Sequence, residues 1–142
     1  MSTTLDVIRI ILIEDSIADA QLFQEALLEA GLPARVRAAS DARRALTLLD
    51  EVARRPDTMP DLIVLDLDLA GDDGRDVLAA IKQHPVLRSI HTMLLSGADD
   101  MALRTGAAKV LPDEYVLKPE TWLGWRGLGD SVRARFLTAA SG

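Results

Sequence analysis

Four apolar runs in this sequence each end on a residue that can do chemistry. The first leads into Glu14-Asp15, the second into Asp66, the third into Ser96 and the fourth into Lys118. The second is the oddest. In IVLDLDLAGDDG (63–74) a run of Ile63, Val64 and Leu65 drives straight into Asp66 and Asp68, and Asp72 and Asp73 follow. Buried carboxylates are costly unless a cation or a dense set of donors meets them. Carboxylates gathered at one edge repel one another and call for a hard divalent cation. Oxygen ligands without His or Cys select magnesium, manganese or calcium, and magnesium prefers to share phosphate oxygens. A carboxylate in such a site can attack a phosphoryl donor and become an acyl phosphate. Positive charge and donors are then needed at the equatorial oxygens of the transferring group, which the Lys118 ammonium and the Ser96 hydroxyl can supply.

Taken singly, each of these residues has a plainer reading: a helix cap, a solvated loop, a surface charge. What decides is whether the fold sets them side by side. Residues 7–13, rich in isoleucine, read as a central strand. Ser16 caps a helix whose stripe is Ile17, Phe23, Ala26, Leu27 and Ala30, and Gly31 stops it. A weak strand at 35–39 follows Pro33. Ser40 or Asp41 then caps a second helix, with Ala42, Ala45, Leu46, Leu49 and Val52 on one side. Strand three is 62–66, and a helix after Gly74 turns Val77, Leu78 and Ile81 inward and ends at His84-Pro85. Strand four is 92–95, with a short helix near 99–105, and strand five is 115–117. At the end, Leu128, Val132 and Phe136 keep helical spacing. Gly124, Gly127 and Gly129 each cost a helix interior about 1 kcal/mol, so a firm helix is expected only from about Asp130.

This alternation predicts an α/β fold: a doubly wound, five-stranded parallel sheet with helices on both faces. Such sheets gather function at the carboxyl ends of their strands, where all four chemical residues fall.

Composition narrows the classes. With 142 residues, 49% of them hydrophobic, the chain is expected to be a single domain (1–142) with a sizeable core, not a disordered tail. A formal charge of −6 argues against a generic nucleic-acid binder. There is no cysteine, and the two histidines, His84 and His91, are too few for a typical zinc centre. The first apolar run carries Arg9 and ends on two acids, unlike a signal peptide. No run approaches the roughly 20 apolar residues that span a bilayer, so no membrane role and a cytoplasmic location are expected.

At nearly its whole length the sequence resembles the receiver domain of two-component response regulators. The motifs are LIEDS at 12–16, IVLDLDLAGDDG at 63–74, MLLSG at 93–97 and YVLKP at 115–119, in receiver order and spacing. The resemblance implies a flavodoxin-like receiver fold with strand order 2-1-3-4-5. It implies a regulator that takes a phosphoryl group from a sensor histidine kinase and hydrolyses it, without being a dedicated metabolic enzyme. Asp66 would be the phospho-acceptor. Asp15 would bind Mg2+ directly, Glu14 mainly through water, and the backbone carbonyl of Asp68 would be a further ligand. Ser96 would hydrogen-bond the phosphoryl group and Lys118 would form its ion pair. Tyr115 matches the switch aromatic, which turns inward as Ser96 moves.

A narrower resemblance, carried by GRDVLAAIKQHPVLRSI at 74–90, the connector before strand three and RFLTAA near the end, is to small stand-alone regulators paired with bacterial phytochrome kinases. It implies a bacteriophytochrome as kinase, no effector domain and no direct nucleic-acid contact. It also implies a homodimer through the helix-four, strand-five and helix-five side, with Trp122, Trp125, Leu128 and Phe136 as candidates, at least two of which are expected to pack against the domain's own sheet instead. Asp68 stands where many receivers have Asn, and Ala70 where Pro is common.

Three other readings compete. A haloacid dehalogenase-type phosphatase also uses an apolar strand ending in Asp-x-Asp, here Asp66 and Asp68. It needs a further acidic pair after the lysine, where this chain offers Glu120 and Asp130, and it leaves Glu14-Asp15 idle. A receiver fold used only for docking would carry its buried acids at a stability cost. A flavodoxin-like cofactor binder needs a Gly/Ser/Thr-rich phosphate loop after strand one, and that loop is absent.

Overall fold

The computed structural model describes residues 7–69, 71–98 and 100–141, with side chains of the last helix as far as 137; Ala70 and Asp99 lie outside the described residues. In chain order the elements are β1 (Ile8–Ile13), α1 (Ile17–Glu29), β2 (Ala34–Ala39), α2 (Ala42–Ala53), β3 (Leu62–Asp66), β4 (Asp68–Leu69), β5 (Asp72–Asp73), α3 (Gly74–Gln83), β6 (Thr92–Ser96), α4 (Met101–Thr105), β7 (Glu114–Leu117) and α5 (Trp122–Ser141). Short 3-10 turns occupy Pro56–Thr58 and Leu87–Ser89.

The main sheet has the order β2-β1-β3-β6-β7, with every pairing parallel. Leaving aside the two-residue antiparallel ladder β4–β5, that is the expected 2-1-3-4-5. Every residue of β3 and of β6 is buried, as is β1 from Ile10 on, while β2 alternates; the first three are therefore interior strands and β2 is an edge. Alternate residues feed two cores. Ile11, Ile13, Ile63, Leu65 and Leu94 pack against Leu49, Val52, Val77, Leu78 and Ile81 of α2 and α3. Ile10, Leu12, Leu62, Val64, Met93 and Leu95 pack against Phe23, Ala26 and Leu27 of α1 and Trp125, Leu128 and Val132 of α5. From the β1–β3 pair the chain winds to β2 on one side and to β6 on the other. The crevice at the carboxyl ends of β1 and β3 is thus the switch point where such folds bind ligands.

Two expectations about helices are corrected. α5 does not begin loosely; it is helical from Trp122. Thr121 starts it, its Oγ1 accepting from the Gly124 N–H (3.1 Å) and its carbonyl from the Trp125 N–H (3.1 Å). Burial of Trp125, Leu128 and Val132 then outweighs the entropy of the glycines. Gly129 is there for packing: a Cβ on it would lie 2.5 Å from the Ala26 carbonyl oxygen of α1. The predicted stripes also reach too far, since Ile17 (77% exposed) and Leu46 (43% exposed) face outward. Ile17 sits in the first turn of α1, beyond the end of the sheet, and in α2 Leu48 takes the inward position instead.

Candidate functional site

Of the acids in IVLDLDLAGDDG only Asp66 is buried, at 2% exposure; Asp68, Asp72 and Asp73 are exposed. Asp73 has a local task, capping α3 by accepting from the Arg75 N–H (2.9 Å). Gly74 lets α3 start directly beneath the end of β3, for a Cβ there would sit 2.6 Å from the Asp66 carbonyl oxygen. The stretch is therefore a strand end, a tight hairpin and a helix start in succession, and it delivers one carboxylate into the interior.

That carboxylate meets others. Glu14, Asp15 and Asp66 each offer an oxygen, and these oxygens lie within 4.8 Å of one another. Glu14 is as buried as Asp66 (4% exposed) and is steadied by the Ser16 N–H, which donates to its Oε1 at 3.0 Å. Asp66 Oδ1 accepts from the Asp68 N–H at 3.0 Å. Lys118 enters from the end of β7, its N–H donating to the Ser96 carbonyl at 2.7 Å. Its Nζ lies 2.8 Å from Glu14 Oε2, 3.1 Å from Asp66 Oδ2 and 2.8 Å from Asp19 Oδ2.

Burial pushes the Glu14 carboxyl up to about 7, against the lowering pull of Lys118 and the Ser16 N–H, with the Asp66 charge adding to the rise. The ion pair does not win because one ammonium is divided among three carboxylates. For Lys118, burial acts against the charge, yet the hydrogen bonds to Asp19, Glu14 and Asp66 hold its pKa above the ordinary lysine value. Glu14, Asp19 and Asp66 thus share the Lys118 ammonium, and Asp15 stands beside them in the same cluster. An all-oxygen donor set at a switch-point crevice fits a hard divalent cation held by Glu14, Asp15 and Asp66.

Ser96 and Tyr115, expected from the resemblance to be the switch pair, lie one step away. The Ser96 Oγ donates to the Ala98 carbonyl (2.7 Å) and accepts from the Ala98 N–H (3.3 Å). The Tyr115 hydroxyl donates to the same Ala98 carbonyl (3.0 Å) and accepts from the Asp100 N–H (2.9 Å). Ser96 and Tyr115 thus share one carbonyl in the loop before α4. The Asp68 side chain turns to that loop, its Oδ2 accepting from the Gly97 N–H at 3.4 Å, and it is not among the three clustered acids. Asp19 was not singled out from the sequence; its signal is the spacing, four residues after Asp15 and three after the cap Ser16, which returns it to the acid pair's side of α1.

Residues 10–122 match the response regulator receiver domain family. The chain is similar to the response regulator Rcp1 of Synechocystis sp. (strain ATCC 27184 / PCC 6803 / Kazusa), 39% identical over 88 residues, 61% of this chain and 60% of that protein. The match therefore spans less than two thirds of that relative's length. Among solved structures, the phosphorylated cyanobacterial phytochrome response regulator RcpA superposes with a TM-score of 0.80 at 30% identity, covering 94% of this chain and 96% of that one. The Mn(2+)-bound form of response regulator Rcp1 superposes at 0.72 with 29% identity, covering 89% and 91%.

Proposed function

This chain belongs to the response regulator receiver family, and from that membership we propose that Asp66 is its phosphoryl acceptor, loaded by a sensor histidine kinase. The observation that carries this is the meeting of Glu14, Asp15, Asp66 and Lys118 at the carboxyl ends of β1, β3 and β7. An Asp66 carboxylate oxygen attacks the phosphorus of the donor. The new O–P bond forms as the donor's P–N bond breaks, and the leaving imidazole nitrogen keeps that electron pair. Lys118, already bonded to Asp66 Oδ2, is placed to donate to the phosphoryl oxygens once they arrive. Glu14, Asp15 and Asp66, with the Asp68 carbonyl as the family's further ligand, would hold a divalent cation, which would supply charge to offset these carboxylates and the phosphoryl oxygens. Magnesium is the ion we assign, because it prefers to share its shell with phosphate; the manganese-bound relative supports a divalent site of this kind.

The output follows from the shared carbonyl. When Ser96 turns its hydroxyl to the phosphoryl group it must leave Ala98, and the Tyr115 contact with the same loop then rearranges. The change is displayed on α4, β7 and α5. On that side Leu117 (54% exposed), Trp122 (41%) and Leu123 (74%) are open, whereas Trp125 and Leu128 belong to the core. A homodimer through this side would therefore rest on Leu117, Trp122 and Leu123, with Phe136 largely committed to the core beneath. Its likeness to phytochrome regulators makes a bacteriophytochrome our choice of kinase. Among the described residues no helix is long and apolar enough to cross a membrane; receiver family membership is our ground for assigning its action to the cytoplasm. The phosphatase reading is not favoured, since the Asp68 side chain it needs as acid/base is bonded to Gly97.

The test is incubation with acetyl phosphate and magnesium, read by intact mass. One phosphoryl adduct is expected, lost with EDTA and lost in Asp66→Asn. An adduct of unchanged yield in Asp66→Asn would falsify the assignment.

A further inference from the structure

Lys118 has three ammonium protons and three carboxylate partners within 3.1 Å. Two of those partners, Glu14 and Asp66, have other work in the site. Asp66 is consumed by phosphorylation and both are drawn to a bound cation. Asp19 is different. It is neither among the clustered acids nor at a strand end; it stands in the first turn of α1. Its backbone is fixed by the helix cap, the Asp19 N–H donating to Ser16 Oγ at 3.2 Å. Its side chain is 30% exposed, against 2% for those of Glu14 and Asp66, so it reaches Lys118 from the rim. A carboxylate in the first turn of a helix is also favoured there by the helix dipole.

Resting on the proposed role of Asp66, we infer that Asp19 is a positioning residue for phosphoryl transfer, holding the Lys118 ammonium at the rim when Glu14 and Asp66 turn to the metal and the phosphoryl group. A lysine side chain has four rotatable bonds and strong hydration, and without a fixed partner it spends its time in water. Asp19 removes that freedom before the donor arrives and keeps the remaining N–H donors aimed inward. A carboxylate kept only for solubility or for the helix cap would make no ion pair at 2.8 Å with a lysine that is itself only 16% exposed.

The test is a double-mutant cycle on the acetyl phosphate reaction at saturating magnesium, with the Lys118 ammonium followed by NMR. Asp19→Ala is expected to slow labelling roughly fivefold, the scale of one partly exposed ion pair acting through another residue. Asp19→Asn, whose amide oxygen can still accept the hydrogen bond, should recover part of that loss. In a Lys118→Gln background Asp19→Ala should change the residual rate little, because the partner it acts through is gone. In the magnesium-bound wild type the Lys118 Nζ–H signal should be sharp, and in Asp19→Ala it should broaden through exchange with water. A wild-type labelling rate in Asp19→Ala together with an unmoved Lys118 signal overturns the inference. So does an equal loss of rate with and without Lys118. Failure of the wild type to label at Asp66 would strike the proposed function itself, and the Lys118 signal would still judge Asp19 by itself.

Discussion

Glu14→Gln should make the metal-free protein more stable at pH 8, although it removes a charged partner of Lys118. Burial raises the Glu14 pKa from 4.5 to about 7. The folded state therefore holds a proton on Glu14 between those values that the unfolded state has released. For a raised carboxylate the sign is fixed: its contribution to stability is greatest at low pH and declines as pH climbs from 4.5 toward 7. A full shift of this size corresponds to about 3 kcal/mol, of which roughly 2 kcal/mol falls between pH 5 and pH 8. Other displaced groups do not overlap that window, since Asp100 and Asp113 are held below their ordinary range and Arg75 and Lys118 above theirs. Urea unfolding in EDTA at pH 5, 6, 7 and 8 measures the difference between wild type and Glu14→Gln. It should grow with pH in favour of the variant, and saturating magnesium should reduce the wild type's loss by competing with the proton. A wild-type-minus-variant difference that stays flat from pH 5 to 8 refutes the reasoning, because it would mean that Glu14 is not desolvated by the fold.

Further outcomes follow from particular side chains. Gly129→Ala should destabilise by about 2 kcal/mol or more, because its Cβ would collide with the Ala26 carbonyl. Gly127→Ala in the same helix, with nothing within 4 Å, should stabilise by roughly 1 kcal/mol; urea midpoints of the two variants check the contrast. Asp68→Asn should keep phosphorylation but weaken magnesium binding several-fold, since it removes an exposed negative charge near the site; calorimetry at two salt concentrations should show the gap narrowing as salt rises. Trp122→Ala should weaken self-association in sedimentation while leaving the fold intact, and a wild-type monomer at high micromolar concentration, with and without beryllofluoride, would rule out the dimer.

The sheet and its polar edge were readable because β-strands write themselves in short apolar runs and each of these runs stopped on a candidate site residue. Glu14, Asp15 and Asp66 converge because β1 and β3 are neighbours, an order that the receiver resemblance implied and that alternation of strands with helices does not fix by itself. The start of α5 was misread because propensity is local. Glycines that weaken an isolated helix are outweighed here by Trp125, Leu128 and Val132, and Gly129 is needed for contact with α1. Ile17 was misassigned because a 3.6-residue stripe does not tell where a helix runs past its packing partners, and Leu46 because Leu48 completes the stripe of Ala45, Leu49 and Val52 in its place. Asp19 was missed for another reason: its spacing sets it on the acid pair's side of α1, but its partner, Lys118, is 99 residues away, and sequence spacing does not identify a partner that distant. Asp73, in the same acidic stretch as Asp66, is a helix cap.

The central claim is that Asp66, among all these acids, carries the phosphoryl group. Borohydride reduces an acyl phosphate to the alcohol, so a phosphorylated aspartate becomes homoserine, which peptide mass mapping locates. After acetyl phosphate and magnesium, homoserine should appear at position 66 and nowhere else, and be absent when EDTA is present. Homoserine at Asp15, Asp19 or Asp68 with aspartate intact at 66 would contradict it.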